Sequence, residues 1–278
     1  MRLSCNQIVR RAALLLGSAA TLAPVWLLSP DSLLAQSGYP TSYKSSTPMQ
    51  ATLPYFNRNV IVLDPAHGGQ DAGATLNGHA LEKDVTLALA ASLRATLTAR
   101  GFTVVSTRDS DLTAAAPLLT GDQRAGTANH LRPVACIVLH ATASGNGLSL
   151  STSSLPLQEA PSASEPSAPI PWDTAQSLYL PQSLRLANDL GLALLRAKLP
   201  VQLLRTTLKP LDNLTCPAVA LEVAPLVVNG SKPTPVTDAG YQQRIADTLA
   251  GAILNWRDLM APKPVAKPAP TPTSGGNP

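Results

Sequence analysis

The chain has 278 residues, 45% of them hydrophobic and 14% charged, which is enough for one sizeable core with appendages and not for much more. Its formal net charge of +4 comes from Lys and Arg scattered along the sequence. The absence of a basic block interleaved with aromatics argues against a nucleic-acid partner.

In chain order, Arg2, Arg10 and Arg11 precede an uncharged run from Ala12 to Pro30, and Leu33-Leu34-Ala35 follows as a small-residue cleavage site. Residues 1–35 therefore read as a secretory signal peptide. The competing reading is a signal anchor, because the run is about long enough to span a bilayer. Pro24 and Ala35 favour cleavage, which leaves no stable membrane insertion. Two cysteines then remain, Cys136 and Cys216, both in or beside apolar strand-like runs. They are expected to be unpaired core thiols, although an oxidising compartment would let them bridge.

Residues 36–56, rich in Ser, Thr, Pro and Tyr, read as a disordered linker. A folded domain is expected over 57–260. Asn59 to Asp64 is its first strand, ending in the open loop Pro65-Ala66-His67-Gly68-Gly69. Glu82 to Arg100 places Val85, Leu89, Leu93 and Leu97 at helical spacing, Gly101 caps it, and Phe102 to Arg108 is a second strand. Strand, helix and strand in so short a span imply a βαβ unit. The fold class is accordingly α/β, a single domain with a mostly parallel twisted sheet and helices on both faces.

Thr120 to His130 suits a short helix, and Val134 to His140 is a third apolar strand that again ends in histidine. Gly147 to Ser151 suits a short strand, and Ser153 to Pro171 is a Ser/Pro-rich insertion. A helix is expected over Gln182–Lys198 and a strand over Ala218–Val223, apolar except for Glu222, a carboxylate costly to bury unpaired. Thr237 or Asp238 caps a last helix through Met260, and 261–278 reads as a proline-rich disordered tail.

Three zinc-competent residues stand at or just beyond strand ends: His67, His140 and, at the start of the first helix, Glu82. Two His and one Glu leave a fourth position for water on a Zn²⁺ ion, as a hydrolytic site requires. Glu222 is the natural general base, expected to be buried in its strand. Other readings stay open. Glu82 also suits a helix N-terminus, Glu222 a salt bridge to Arg205 or Lys209, and His79 competes with the other histidines as a ligand. His130 reads as a surface residue.

Asp64-Pro65-Ala66-His67-Gly68-Gly69, Asp71-Ala72-Gly73-Ala74, Leu81-Glu82-Lys83-Asp84, Thr107-Arg108-Asp109, Arg124 with Ala128-Asn129, Leu139-His140-Ala141 and Leu221-Glu222-Val223 follow one another in this order. The series resembles the zinc-dependent N-acetylmuramoyl-L-alanine amidases of the Amidase_3 type. The resemblance implies hydrolysis of the amide between N-acetylmuramic acid and L-alanine in peptidoglycan, for cell-wall remodelling or daughter-cell separation. By similarity His67, Glu82 and His140 would hold one Zn²⁺ and Glu222 would be catalytic. With the signal peptide, the expectation is a monomer in the periplasm or secreted to the envelope, with peptidoglycan and a protein activator as partners.

The chain departs from the family pattern at Ala66, where Gly is usual, at Val138 and Thr142, where Ser and Asn are usual, and at Ala224-Pro225, where Gly and an aromatic are usual. Were the usual glycine to use a positive φ, Ala66 would cost about 1 kcal/mol. Two alternative functions compete: an amidase-like wall-binding protein without turnover, favoured by Thr142, Ala224 and Pro225, and a zinc amidohydrolase shifted to a muropeptide-like substrate.

Overall fold

The computed structural model describes residues 55–113, 118–158, 171–228 and 231–260. The signal peptide expected over 1–35, most of the 36–56 linker, residues 159–170 of the insertion and the 261–278 tail lie outside the described residues.

β1 (Asn57–Pro65) is buried from Val60 onward, as expected of a strand covered on both faces. α1 (Glu82–Thr98) buries Val85, Leu89, Leu93 and Leu97 against the sheet. The chain leaves α1 through Gly101 at φ +85°, where a Cβ would meet open space, so glycine is needed there for its conformation alone. β2 (Thr103–Ser106) then pairs parallel with one side of β1. α2 (Gly121–Leu131) starts from a capping box between Thr120 and Gln123. β3 (Pro133–Ala141) pairs parallel with the other side of β1. Because the chain steps from β1 to one side and then returns past it, right-handed crossovers put α1 and α2 on opposite faces. The reversal between β1 and β3 opens a crevice beyond their carboxyl ends, where open α/β sheets collect ligands.

β4 (Leu148–Ser153), α3 (Leu180–Arg196), β5 (Val201–Thr206), β6 (Ala218–Val223) and α4 (Ala239–Leu259) complete the domain. The six strands lie in the order β2-β1-β3-β6-β4-β5, all pairs parallel except β4 with β6. α4 packs against both α1 and α3. Its Trp256 is fully buried and donates from Nε1 to the Val134 carbonyl at 3.0 Å. Among the described residues no helix is long and apolar enough to cross a membrane.

The fold corrects several expectations. Cys136 and Cys216, expected as free thiols, form a disulfide. β6 lies beside β3 with Ala218 opposite Cys136, which brings Cys216 to the flank of β3 although 80 residues separate the two cysteines. Phe56, assigned to the linker, is buried and meets the Tyr179 ring edge-on, with centroids 6.0 Å apart. Ser153, assigned to the insertion, is the buried last residue of β4 and donates its hydroxyl to Asp212. β5 lacks an apolar alternation because it is an edge strand, with Gln202 to Arg205 exposed. Ala66 is not among the residues with positive φ; the left-handed backbone falls on His67, at +64°.

Candidate metal centre

β1 ends at Pro65, and the turn that follows is held by two buried arginines. Arg124 donates from Nη1 to Asp64 Oδ1 at 2.7 Å and to the Pro65 carbonyl at 2.9 Å, and from Nη2 to the His67 carbonyl at 2.8 Å. Arg108 donates to the Pro65 and Ala66 carbonyls, each at 3.0 Å. All three carbonyls of the turn are thereby bonded to a guanidinium. Such charge-assisted bonds are strong enough to offset the roughly 1–2 kcal/mol that a left-handed residue costs. The departure at Ala66 is harmless because the strain sits one residue later, where the clamp acts.

The clamp turns the His67 ring toward the first residue of α1. His67 Nδ1 lies 2.9 Å from Asp71 Oδ2, and Nε2 lies 3.1 Å from Glu82 Oε2. The other Glu82 oxygen lies 3.0 Å from Nδ1 of His140, the penultimate residue of β3. Backbone N–H groups of Ala74 and Ala141 donate to the same carboxylate at 3.0 and 3.2 Å. Burial pushes the Glu82 carboxyl up, but the His140 bond, the two backbone donors and the nearby His67 outweigh it and hold the pKa at about 2. Asp71 is also lowered: burial raises it, and the His67 bond and the Gly73 N–H overcome that.

The donor atoms of His67, Glu82 and His140 lie within 4.8 Å of one another, and the imidazole rings meet at 83°. With Nδ1 of His67 bonded to Asp71, Nε2 is the nitrogen left to ligate, the usual arrangement in carboxylate–histidine–metal chains. Gly73 lets the loop approach this group: a Cβ there would lie 2.6 Å from His67 Cδ2 and 2.8 Å from Glu82 Cβ, at φ +65°. Two imidazoles, one carboxylate and an orienting acid fit a divalent ion with an open position.

Glu222 is the penultimate residue of β6 and pairs in register with His140, so the two project from the same face of the sheet. The apolar run around Glu222 predicts a buried carboxylate. Glu222 is instead exposed, the one exposed position of its strand, because β6 ends where the sheet opens. Neither suggested salt bridge forms: Arg205 donates to the Ser153 and Leu155 carbonyls, and among the described residues neither Glu222 nor Lys209 joins an ion pair. His79 and His130 are exposed and stand outside the metal-competent group.

A cleft next to this group is lined by His67, Asp71, Arg124, Val138, His140 and Lys209. Asp71 and Arg124 stand in two motifs of the ordered series without an evident role in the sequence; their only signals are an acid four residues after a loop histidine and a lone Arg within a short helix. Of the family departures, Val138 lines the cleft, and Ala224 is buried, its N–H bonded to the Gly147 carbonyl at 2.8 Å.

Residues 61–255 match the Amidase_3 family, described as N-acetylmuramoyl-L-alanine amidase. A germination-specific N-acetylmuramoyl-L-alanine amidase of Bacillus subtilis is 31% identical over 205 residues, covering 71% of this chain and 79% of its own. A probable cell wall amidase LytH of Staphylococcus aureus is 53% identical over 53 residues, covering 18% of each chain. Among solved structures, the amidase Ami1 of Mycobacterium smegmatis superposes with a TM-score of 0.54 at 22% identity, over 72% of this chain and 97% of that one. The CwlD amidase of Clostridioides difficile gives 0.51 at 17% identity, over 72% and 99%. With the family matched over most of its folded part, this chain belongs to the Amidase_3 family of N-acetylmuramoyl-L-alanine amidases.

Proposed function

We propose that the chain is an exported, zinc-dependent enzyme that hydrolyses the amide between N-acetylmuramic acid and L-alanine in peptidoglycan. The observation that carries this reading is the convergence of His67, Glu82 and His140 within 4.8 Å beside a cleft, with Glu222 in register on the neighbouring strand. His67, Glu82 and His140 would hold the ion. A zinc ion bound there supplies Lewis acidity toward the amide carbonyl and lowers the pKa of water.

The chain's own residues do the rest. Asp71 holds His67 with Nε2 facing inward, and Glu82 is ionised at neutral pH, so no proton need leave it before an ion binds. Glu222, exposed and in no ion pair among the described residues, takes the proton from the attacking water and returns it to the nitrogen of L-alanine as the C–N bond breaks. The products are the lactyl carboxylate and a free α-amine.

The buried Cys136–Cys216 disulfide and the arginine-led apolar run before Pro30 support a periplasmic or secreted location. The CwlD amidase of C. difficile was solved in complex with the GerS lipoprotein, which supports a protein activator as a second partner besides peptidoglycan. The test is release of stem peptides from purified sacculi by the full chain, with chelator and then with added zinc. Chelator-sensitive release that leaves glycan strands intact and exposes N-terminal L-alanine is expected. A folded, zinc-loaded chain that releases nothing, with or without envelope extract as a source of activator, would overturn the reading.

A further inference from the structure

Lys209 lines the same cleft as His67 and His140, is exposed, and joins no ion pair among the described residues. Of the acids lining that cleft, Asp64 pairs through Oδ1 with Arg124 at 2.7 Å while its buried Oδ2 accepts no hydrogen bond, and Asp71 bonds His67 and the Gly73 N–H. The ammonium therefore stands beside the metal-competent group without an ion-pair partner among the described residues.

Its position is built rather than incidental. Gly121, the first residue of α2, lets the Lys209 stem pass close by; a Cβ there would lie 3.0 Å from Lys209 Cβ and 3.8 Å from Cγ. The turn that follows Lys209 is pinned from three sides. Leu211 is fully buried, Asp212 accepts the Leu208 N–H at 3.1 Å and the Ser153 hydroxyl, and Asn213 donates to Asp122 at 2.8 Å while its carbonyl accepts from Asn129 at 2.9 Å. The fixed backbone roots the stem beside the cleft, so an arriving anion has only the side chain's own rotamers to order.

The scissile amide joins a neutral lactyl group to neutral L-alanine, so the nearest anion on the substrate is the carboxylate of the acidic residue after L-alanine. That residue begins one step along the chain, about 3.5 Å beyond the alanine. We propose that Lys209 is a specificity-determining residue that binds this free α-carboxylate and thereby favours acidic over amidated stem peptides. The assignment rests on the hydrolytic reading above for the identity of the substrate.

The test measures binding by calorimetry on the zinc-loaded full chain carrying Glu222→Gln, the parent for this comparison, so that neither ligand is turned over during the titration. Two ligands differ only at the α-carboxylate: N-acetylmuramoyl-L-alanyl-D-glutamate and its D-isoglutamine amide. The parent is expected to bind the acid about tenfold more tightly than the amide, the size of one charge-assisted bond at a solvated site. Lys209→Met should bind both alike, and Lys209→Arg should keep the preference. A parent that binds the two equally, or binds neither, overturns the proposal, as does a Lys209→Met variant that still discriminates. If the preference is lost in Lys209→Met while the zinc-loaded chain with Glu222 intact hydrolyses no sacculi, the carboxylate subsite stands and the hydrolytic reading falls.

Discussion

At the scale of single residues, the site depends on a histidine in an unfavourable backbone conformation. His67 has φ +64° and is kept there by the arginines on its turn and by Asp71 on its ring. An orienting carboxylate of this kind typically changes metal affinity by about 10–100-fold when removed. Asp71→Ala is therefore expected to weaken zinc binding by about that factor, read by competition with a chromogenic chelator. Affinity equal to the parent's would mean that Asp71 is only a surface residue of the loop. Glu222→Gln separates binding from proton transfer: the variant should hold zinc as the parent does yet lose about 10²–10⁴-fold in kcat. Full activity in that variant would remove Glu222 from the mechanism. The grouping of His67, Glu82 and His140 was legible in the sequence because each stands where an apolar run or a helix begins or ends. The neighbours that orient them were not, because the links from Arg124 to Asp64 and His67 cross about sixty residues and exist only once α2 has packed beside β1.

At the scale of elements, β6 and α4 together set the position of the proposed base. Two residues after Glu222, the Ala224 carbonyl accepts from Tyr241 Oη at 3.1 Å, and Tyr241 stands in the first turn of α4, capped by Asp238. Burial pushes the Tyr241 hydroxyl up to about 12, only weakly opposed by Arg244. An unfolded tyrosine ionises near pH 10, so the unfolded state releases its proton first. The contribution is thus fully present below about pH 10 and lost as pH rises toward 12, by about 2–3 kcal/mol if the whole shift is realised. Tyr241→Phe should cost about 1 kcal/mol near neutrality, the worth of one hydrogen bond, and should flatten the alkaline limb of the denaturant midpoint against pH. An alkaline limb as steep as the parent's would assign that limb to other groups. The strands nearest the site were legible from their apolar runs. β5 was not, because an edge strand buries little and its VQLLRT sequence shows no alternation, and neither was the disulfide, because β4, α3 and β5 separate β3 from β6 in the chain.

At the scale of the whole molecule, the three metal-competent residues belong to separate parts: the loop after β1, the first turn of α1 and the end of β3. An ion held by all three cross-links them, and one that binds only the folded state stabilises it by mass action, by about 4 kcal/mol at a free concentration 1,000 times Kd. The core does not need that contribution to form. Ile61, Leu63, Leu93, Leu139 and Leu221 are fully buried, and Glu82 already accepts bonds from two backbone N–H groups. Metal removal is therefore expected to lower Tm without abolishing cooperative unfolding. For a domain of this size each kcal/mol shifts Tm by about 2–4 °C, so the chelated protein should melt roughly 8–16 °C below the zinc-loaded one. Calorimetry of the two forms checks this. Coincident transitions would show that the trio binds no ion in the folded protein, and collapse on chelation would show that the sheet is not self-sufficient and that the metal is part of the fold.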